Sequence, residues 1–211
     1  MDDWQDWRKQ RREELLALRE SVPETERLCW STAITRLLRE GFPMGKHRVV
    51  GGYWPHRGEY DPRPAMEHFR AGGTILALPE VVRKGGALRF REWRASAAMK
   101  PGAYGIPVPD DAEAVEVDAL LLPMVGFDRL GFRLGYGGGY FDRTLAASAV
   151  AGRRPLAIGV AFEIQKLDSV HPQSHDIAMD YVVTEAGIRQ VTPEGLVALA
   201  AADCARGQAA R

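Results

Sequence analysis

Apolar positions along this chain recur in two rhythms. From about Asp2 to Arg19 the residues are good helix formers without Gly or Pro, which predicts a helix. Residues 21–41, SVPETERLCWSTAITRLLREG, predict a second. Trp30, Ala33, Ile34, Leu37 and Leu38 fall on one face at helical spacing, Pro23 suits the first turn, and Gly41 suits the C-terminal cap. Glu24 and Glu26 suit the positive N-terminal end of the helix dipole. PAMEHFRAGG and YFDRTLAASA predict two further helices. The other rhythm belongs to strands. HRVVGGYW, TILALP, PLAIGVAF and MDYVVT are short apolar runs, ALRFREW alternates in period two, and VDALLLPMVGF is continuously apolar up to a glycine-rich stretch. Apolar runs alternating with helical segments predict an α/β layered domain with a mainly parallel sheet. Residues 1–199 form one such domain in this reading, and the alanine-rich segment 200–211 frays.

Composition narrows the picture. In 211 residues, 45% hydrophobic content suffices for a core, and 28 basic residues balance 28 acidic ones. Zero net charge argues against nucleic acid or a membrane surface as partner, so any anion site must be local. Cys29 and Cys204 form no CxxC pair, which disfavours a thiolate metal site and fits a reducing cytoplasm. The charged N-terminus has no apolar signal core, and no segment is long and apolar enough to span a bilayer. Oligomeric state is not legible, and a monomer is compatible with the chain.

The glycine-rich stretch is FDRLGFRLGYGGGYFDR, residues 127–143. A strand, a glycine loop and then a helix is a common phosphate cradle. Glycines let backbone N–H groups approach, and the helix N-terminus adds a positive dipole. The spacing of Gly135, Gly137, Gly138 and Gly139 matches neither G-x-G-x-x-G nor the P-loop. A tight structural turn explains the glycines alone equally well. Arg133, Asp142 and Arg143 beside them favour phosphate or nucleotide, because arginine neutralises phosphate and a carboxylate can hold Mg²⁺.

LLLPMVGFDRLGFRLGYGGGYFDRTL resembles the signature of the 5-formyltetrahydrofolate cyclo-ligase family. GGYWPHRGEYD, TILALPEVV, YGIPVP and AIGVAFEIQ…HPQSHDIAMDYVVTE extend the resemblance over roughly residues 8–190. It implies a three-layer α/β/α fold of Rossmann-like character. It also implies ATP- and Mg²⁺-dependent conversion of 5-formyltetrahydrofolate to 5,10-methenyltetrahydrofolate, through a phosphorylated formyl group, with ADP and phosphate released. On that resemblance Arg12, with Lys9 or Arg8 about one turn before it, serves the ATP phosphates. Arg133, Gly135, Tyr136, Gly137, Gly138, Gly139 and Tyr140 join them, Arg133 and Tyr140 closest to the chemistry. Glu59, Tyr104 and Tyr140 serve the folate, and Asp142 and Asp176 hold Mg²⁺, with His175 able to orient Asp176. The chain departs from the family pattern at Arg11, Val108 and Phe141. Those departures keep open a folate- or nucleotide-binding paralogue without turnover. The layered fold alone also admits a sugar-phosphate isomerase or a CoA-transferase-like enzyme.

Overall fold

A computed structural model of the chain describes residues 3–44 and 47–209. Asp2, where the first helix is expected to begin, and the last two residues of the tail lie outside that range.

Helices α1 (Asp3–Ser21) and α2 (Glu24–Gly41) come first. Strand β1 (Val49–Gly51), helix α3 (Arg63–Ala71), β2 (Ile75–Glu80) and β3 (Arg89–Glu92) follow. A small arm of β4 (Met99–Pro101) and β5 (Pro107–Pro109) leads to β6 (Ala114–Val115) and β7 (Ala119–Pro123). Next come β8 (Gly126–Asp128), β9 (Arg133–Leu134), α4 (Tyr140–Val150), β10 (Leu156–Val160) and β11 (Lys166–Leu167). The chain then runs through β12 (Tyr181–Thr184), β13 (Gly187–Thr192), β14 (Gly195–Leu199) and α5 (Ala201–Ala209).

Nine strands form one mixed sheet in the order β14-β13-β12-β10-β7-β1-β2-β3-β6. The central five, β12, β10, β7, β1 and β2, pair in parallel. Both flanks are antiparallel, so the expected mainly parallel sheet holds for the centre and not for the edges. The strands of the parallel centre are apolar on both sides because both faces of the sheet are covered. Alternation along β7 divides its residues between two cores. Ala119 and Leu121 join Val50, Leu76, Leu78, Ile158 and Val183 beneath α2 and α3, through Ile34, Leu38, Met66 and Phe69. Leu120 and Leu122 join Val49, Ala77, Ala157 and Val182 on the opposite face, with Leu145 of α4. A third, smaller core seats α1, through Leu15 and Leu16, on Val125, Leu134 and Val170.

Two local expectations change. Gly41 is the last residue of α2, and its cap is Phe42 with φ −127° and ψ 83°, so no left-handed glycine ends this helix. Gly41 is needed because a Cβ there would collide with Ile188 of β13. The alanine-rich segment does not fray within the described residues: Ala201–Ala209 is helical and Cys204 is fully buried in the core under α2. An apolar partner surface stabilises a helix too short to persist alone.

The chain passes from β1 to β2 on one side and later adds β7 and β10 on the other. The order therefore reverses between β1 and β7, which is where ligands bind in such sheets, outside the carboxyl ends of the strands.

Candidate functional site

Three loops leave the carboxyl ends of the neighbouring strands β1, β7 and β10: residues 52–62, 124–139 and 161–180. Helix α1 joins all three by arginines on one face. The buried Arg8 donates from Nε to the Val170 carbonyl at 3.0 Å and from Nη2 to the His171 carbonyl at 3.0 Å, and pairs with Asp176. One turn later Arg12 donates to the Gly135 carbonyl at 2.8 Å. Arg19, 1% exposed, donates to the Arg57 carbonyl at 2.9 Å and to the Tyr136 hydroxyl at 2.7 Å. Lys9 is exposed, one residue away from this face.

The glycine loop links β9 to α4. Gly137 (φ 90°) and Gly139 (φ 60°, preceding the first helical residue) adopt left-handed backbone, which side chains with a Cβ resist. At Gly137 a Cβ would lie 3.5 Å from the Arg12 guanidinium, so that cation rests directly on the loop. Burial, and then the neighbouring Arg8 charge, push the Arg12 pKa down. Arg8 is already paired with Asp176, so Arg12 is the guanidinium of the two better placed to meet an anion.

Arg133 lies beneath the loop. Its Nη2 pairs with Asp142 Oδ2 at 2.7 Å, while Asp142 Oδ1 accepts the Ile177 N–H at 3.2 Å. Burial lowers the Arg133 pKa, and the charges of Asp142 and then Asp176 oppose that shift. Its Nη1 is buried and has no hydrogen-bond partner. A buried donor left unmade costs about 1–3 kcal/mol, so this nitrogen calls for an acceptor. Phe141, where a tyrosine is expected, places its ring 5.8 Å from the Arg133 guanidinium. Its hydroxyl-free ring packs with the core under α4.

On one flank of the loop, the half-buried Glu59 accepts the Tyr136 hydroxyl at 2.9 Å and the His56 N–H at 2.8 Å. Burial raises its pKa, against the lowering effects of Arg19, the His56 N–H and the Tyr136 hydroxyl. On the other flank, Tyr140 and Tyr104 share a hydrogen bond of 2.8 Å between hydroxyls. Tyr104 stands exposed on the β4–β5 arm with φ 59°. Val108 is buried in that arm, against Gly102, so its apolar side chain serves packing. A cavity of about 970 Å³ runs from Glu59 along α2 and α3, past Arg27, Ser31, Thr35 and His68. No residue of the glycine loop lines it, so the loop and this cavity are adjoining regions that meet at Glu59.

Asp176 receives Arg8 and the Gln173 N–H at 2.7 Å, with the exposed His175 Nε2 3.8 Å away. Burial would raise its pKa, but Arg8 and the Gln173 N–H outweigh burial and hold it low. Among the described residues, no cluster of three or more His, Cys, Asp and Glu side chains could hold a metal ion.

Sequence reasoning missed Arg19, which looks like one more charge on a charged helix. It also missed the Tyr136 side chain as a partner of Glu59, and the backbones of His56 and His171, whose side chains carry no ligand spacing. Their carbonyls and N–H groups make the hydrogen bonds, while their rings pack on Tyr136 and Trp7, and side-chain spacing cannot reveal either.

Comparison with known proteins supplies a further finding. The model of the 5-formyltetrahydrofolate cyclo-ligase family matches residues 4–185. A 5-formyltetrahydrofolate cyclo-ligase of Mycolicibacterium smegmatis is 30% identical over 187 residues, spanning 84% of this chain and 93% of that protein. The counterpart from Escherichia coli K12 is 27% identical over 173 residues, spanning 79% of this chain and 93% of its own. The solved 5,10-methenyltetrahydrofolate synthetase of Aquifex aeolicus superposes with a TM-score of 0.74 at 30% identity, covering 87% of this chain and 92% of that one.

Proposed function

Because this chain belongs to the 5-formyltetrahydrofolate cyclo-ligase family, we propose how its residues carry out that family's reaction, the ATP-dependent conversion of 5-formyltetrahydrofolate to 5,10-methenyltetrahydrofolate. The enzyme is a ligase of one-carbon metabolism. The oxygen of an N-formyl group leaves poorly. Transfer of the γ-phosphoryl group from ATP to that oxygen makes it a phosphate leaving group, with ADP as the first product. The N10 amine then attacks the formyl carbon and gives up its proton, the ring closes, and phosphate departs with the former formyl oxygen. No protein nucleophile is needed. The protein must align two substrates and stabilise moving charge.

The observation that carries the assignment is the arginine set around the glycine loop, with one buried Arg133 nitrogen unpartnered. In our reading the amides of residues 135–139 and the guanidiniums of Arg12 and Arg133 hold the phosphates. Arg8, rather than the exposed Lys9, is the second cation of α1. Glu59 accepts the amino and amide donors of the pterin edge, and Tyr104 and Tyr140 flank the folate. Mg²⁺ fits as an ion carried by the nucleotide: it takes one or two carboxylates and completes its shell with phosphate and water. Asp142 and Asp176 are the two carboxylates available, each now neutralised by an arginine. When bound, the ion would neutralise charge on the transferring phosphoryl group. We place the enzyme in the cytoplasm, on a Rossmann-like three-layer scaffold.

The test is direct. Protein, Mg·ATP and 5-formyltetrahydrofolate are mixed and the near-ultraviolet absorbance of the methenyl product is followed. Growth of that band only with ATP supports the assignment. A protein that binds both ligands without forming product is a binding paralogue.

A further inference from the structure

We propose that Tyr136, held by Arg19, links the glycine loop to Glu59, so that nucleotide and folate bind cooperatively. The inference rests on reading Glu59 as the folate carboxylate and the loop as the nucleotide site.

Tyr136 belongs to the loop by sequence, yet its hydroxyl lies outside it. That hydroxyl accepts from Arg19 Nη2 at 2.7 Å and donates to Glu59 Oε1 at 2.9 Å. It therefore has its donor and one acceptor site used, in a fixed direction from cation to carboxylate. Arg19 is fully sequestered and spends its remaining donors on backbone: the carbonyls of Arg57 at 2.9 Å, His56 at 3.4 Å and Met124 at 3.5 Å. Arg57 presents its carbonyl from a left-handed conformation, φ 51°. Such backbone costs a non-glycine residue roughly 1–2 kcal/mol and persists only where its surroundings hold it.

The Tyr136 residue itself is 45% exposed. Beyond the tilted contact of its ring with His56 at 6.0 Å and a long hydroxyl contact to the His56 carbonyl at 3.5 Å, its position depends on the two shorter hydrogen bonds of its hydroxyl. The backbone on either side is tied to Arg12, which donates to the Gly135 carbonyl and lies against Gly137. A phosphate that draws Arg12 toward itself changes what holds Gly135, and Tyr136 is the next residue. Ordering the loop thereby orders the hydroxyl that orients Glu59. Two further charged or titratable groups beside Glu59 also face the loop: the His56 ring lies 6.0 Å from the Tyr136 ring, and the Arg57 charge acts on Tyr136. Tyr53 lies beneath Glu59, and Arg27 of α2 rests on Gly58.

The experiment measures 5-formyltetrahydrofolate affinity with and without a non-hydrolysable ATP analogue, in the wild type and in Tyr136→Phe. In the wild type the analogue should tighten folate at least about fivefold, and folate should tighten the analogue by the same factor. In Tyr136→Phe that factor should fall below about twofold; the ratio, not either affinity, is the readout. The acid limb of folate binding should also move to higher pH in Tyr136→Phe, because a hydrogen bond that favours the Glu59 carboxylate is gone. Undiminished coupling in the variant, absent coupling in the wild type, or an unmoved acid limb each overturns the proposal. Glu59→Gln separates this from failure of the underlying site. If that variant binds folate normally in the absence of nucleotide, Glu59 is not the folate carboxylate, and the link falls with it.

Discussion

Asp142 is the counter-ion of a buried arginine, and its replacement affects more than metal binding. Asp142→Asn leaves Arg133 without its pair, with side chains only 5% and 15% exposed. Breaking such a pair costs about 3 kcal/mol. In a chain of this size the melting temperature should fall by roughly 6–12 °C. Inorganic phosphate should raise that temperature more in the variant than in the wild type, because Arg133 regains an anion. The Mg²⁺ needed for turnover should rise as well; an unchanged Mg²⁺ titration removes Asp142 from the metal's ligands. Glu59 has the opposite stability sign. Its carboxyl is raised by burial, so the folded state holds that proton more tightly than the unfolded chain does. Folding stability therefore declines as pH rises from the unfolded pKa to the folded one, and the cost remains at neutral pH. Glu59→Gln removes the cost. At pH 7 its melting temperature should equal or exceed that of the wild type, a difference that closes in acid. Its folate affinity should meanwhile fall by about one to two decades, the loss of a charged hydrogen bond of roughly 1.5–3 kcal/mol. A lower melting temperature with normal folate use would reverse both halves. Asp142 and Glu59 could be proposed from the sequence because each sits in a short stretch that carries the family resemblance, whereas Arg12 came from that resemblance alone. Arg19 could not be, because burial depends on what a helix packs against, and α1 is charged along its whole length.

At the scale of elements, the glycine loop and the helix after it were legible as a strand–loop–helix unit. The close approach of Arg12 to Gly137 was not, since it joins positions far apart in the chain. That approach separates two variants. Gly137→Val and Gly139→Val both strain a left-handed backbone and should lower stability by about 1–2 kcal/mol each. Gly137→Val also sets its side chain against Arg12, and should weaken an ATP analogue by at least about a decade, 1.4 kcal/mol, while a cooperative melt survives. Calorimetric titration beside a thermal melt separates lost binding from lost stability; normal analogue binding by Gly137→Val would make the loop a turn only. The hairpin β13–β14 went unread because β13 mixes polar and apolar residues, and the short apolar run of β14, GLVAL, merges into the alanine-rich segment after it. The central strands were readable because they are apolar on both faces.

For the whole molecule, the alternation of apolar runs and helices conveyed the parallel centre, whereas the antiparallel edges depend on pairings between half-polar strands. Helix α5 was missed for the same reason as Arg19: its single fully buried residue, Cys204, gives no periodic signal. Deleting residues 201–211 uncovers the core under α2 and should cost about 2 kcal/mol of apolar burial. That corresponds to roughly 4–8 °C in melting temperature, with Michaelis constants at low temperature retained; an unchanged melt would make α5 dispensable.

The arginines of α1 also have a consequence in time. Arg8 bonds to a carbonyl 162 residues away, Arg12 to one 123 away, and Arg19 to Met124 across 105. Closing loops of that length is entropically costly and slow. A ribosome makes this helix long before it makes the loops that satisfy it, so α1 should be among the last elements to dock. By the same reasoning it should be among the first to detach. Pulse-labelling hydrogen exchange should find α1 amides protected after those of the central strands, and only then should the protein gain affinity for a nucleotide.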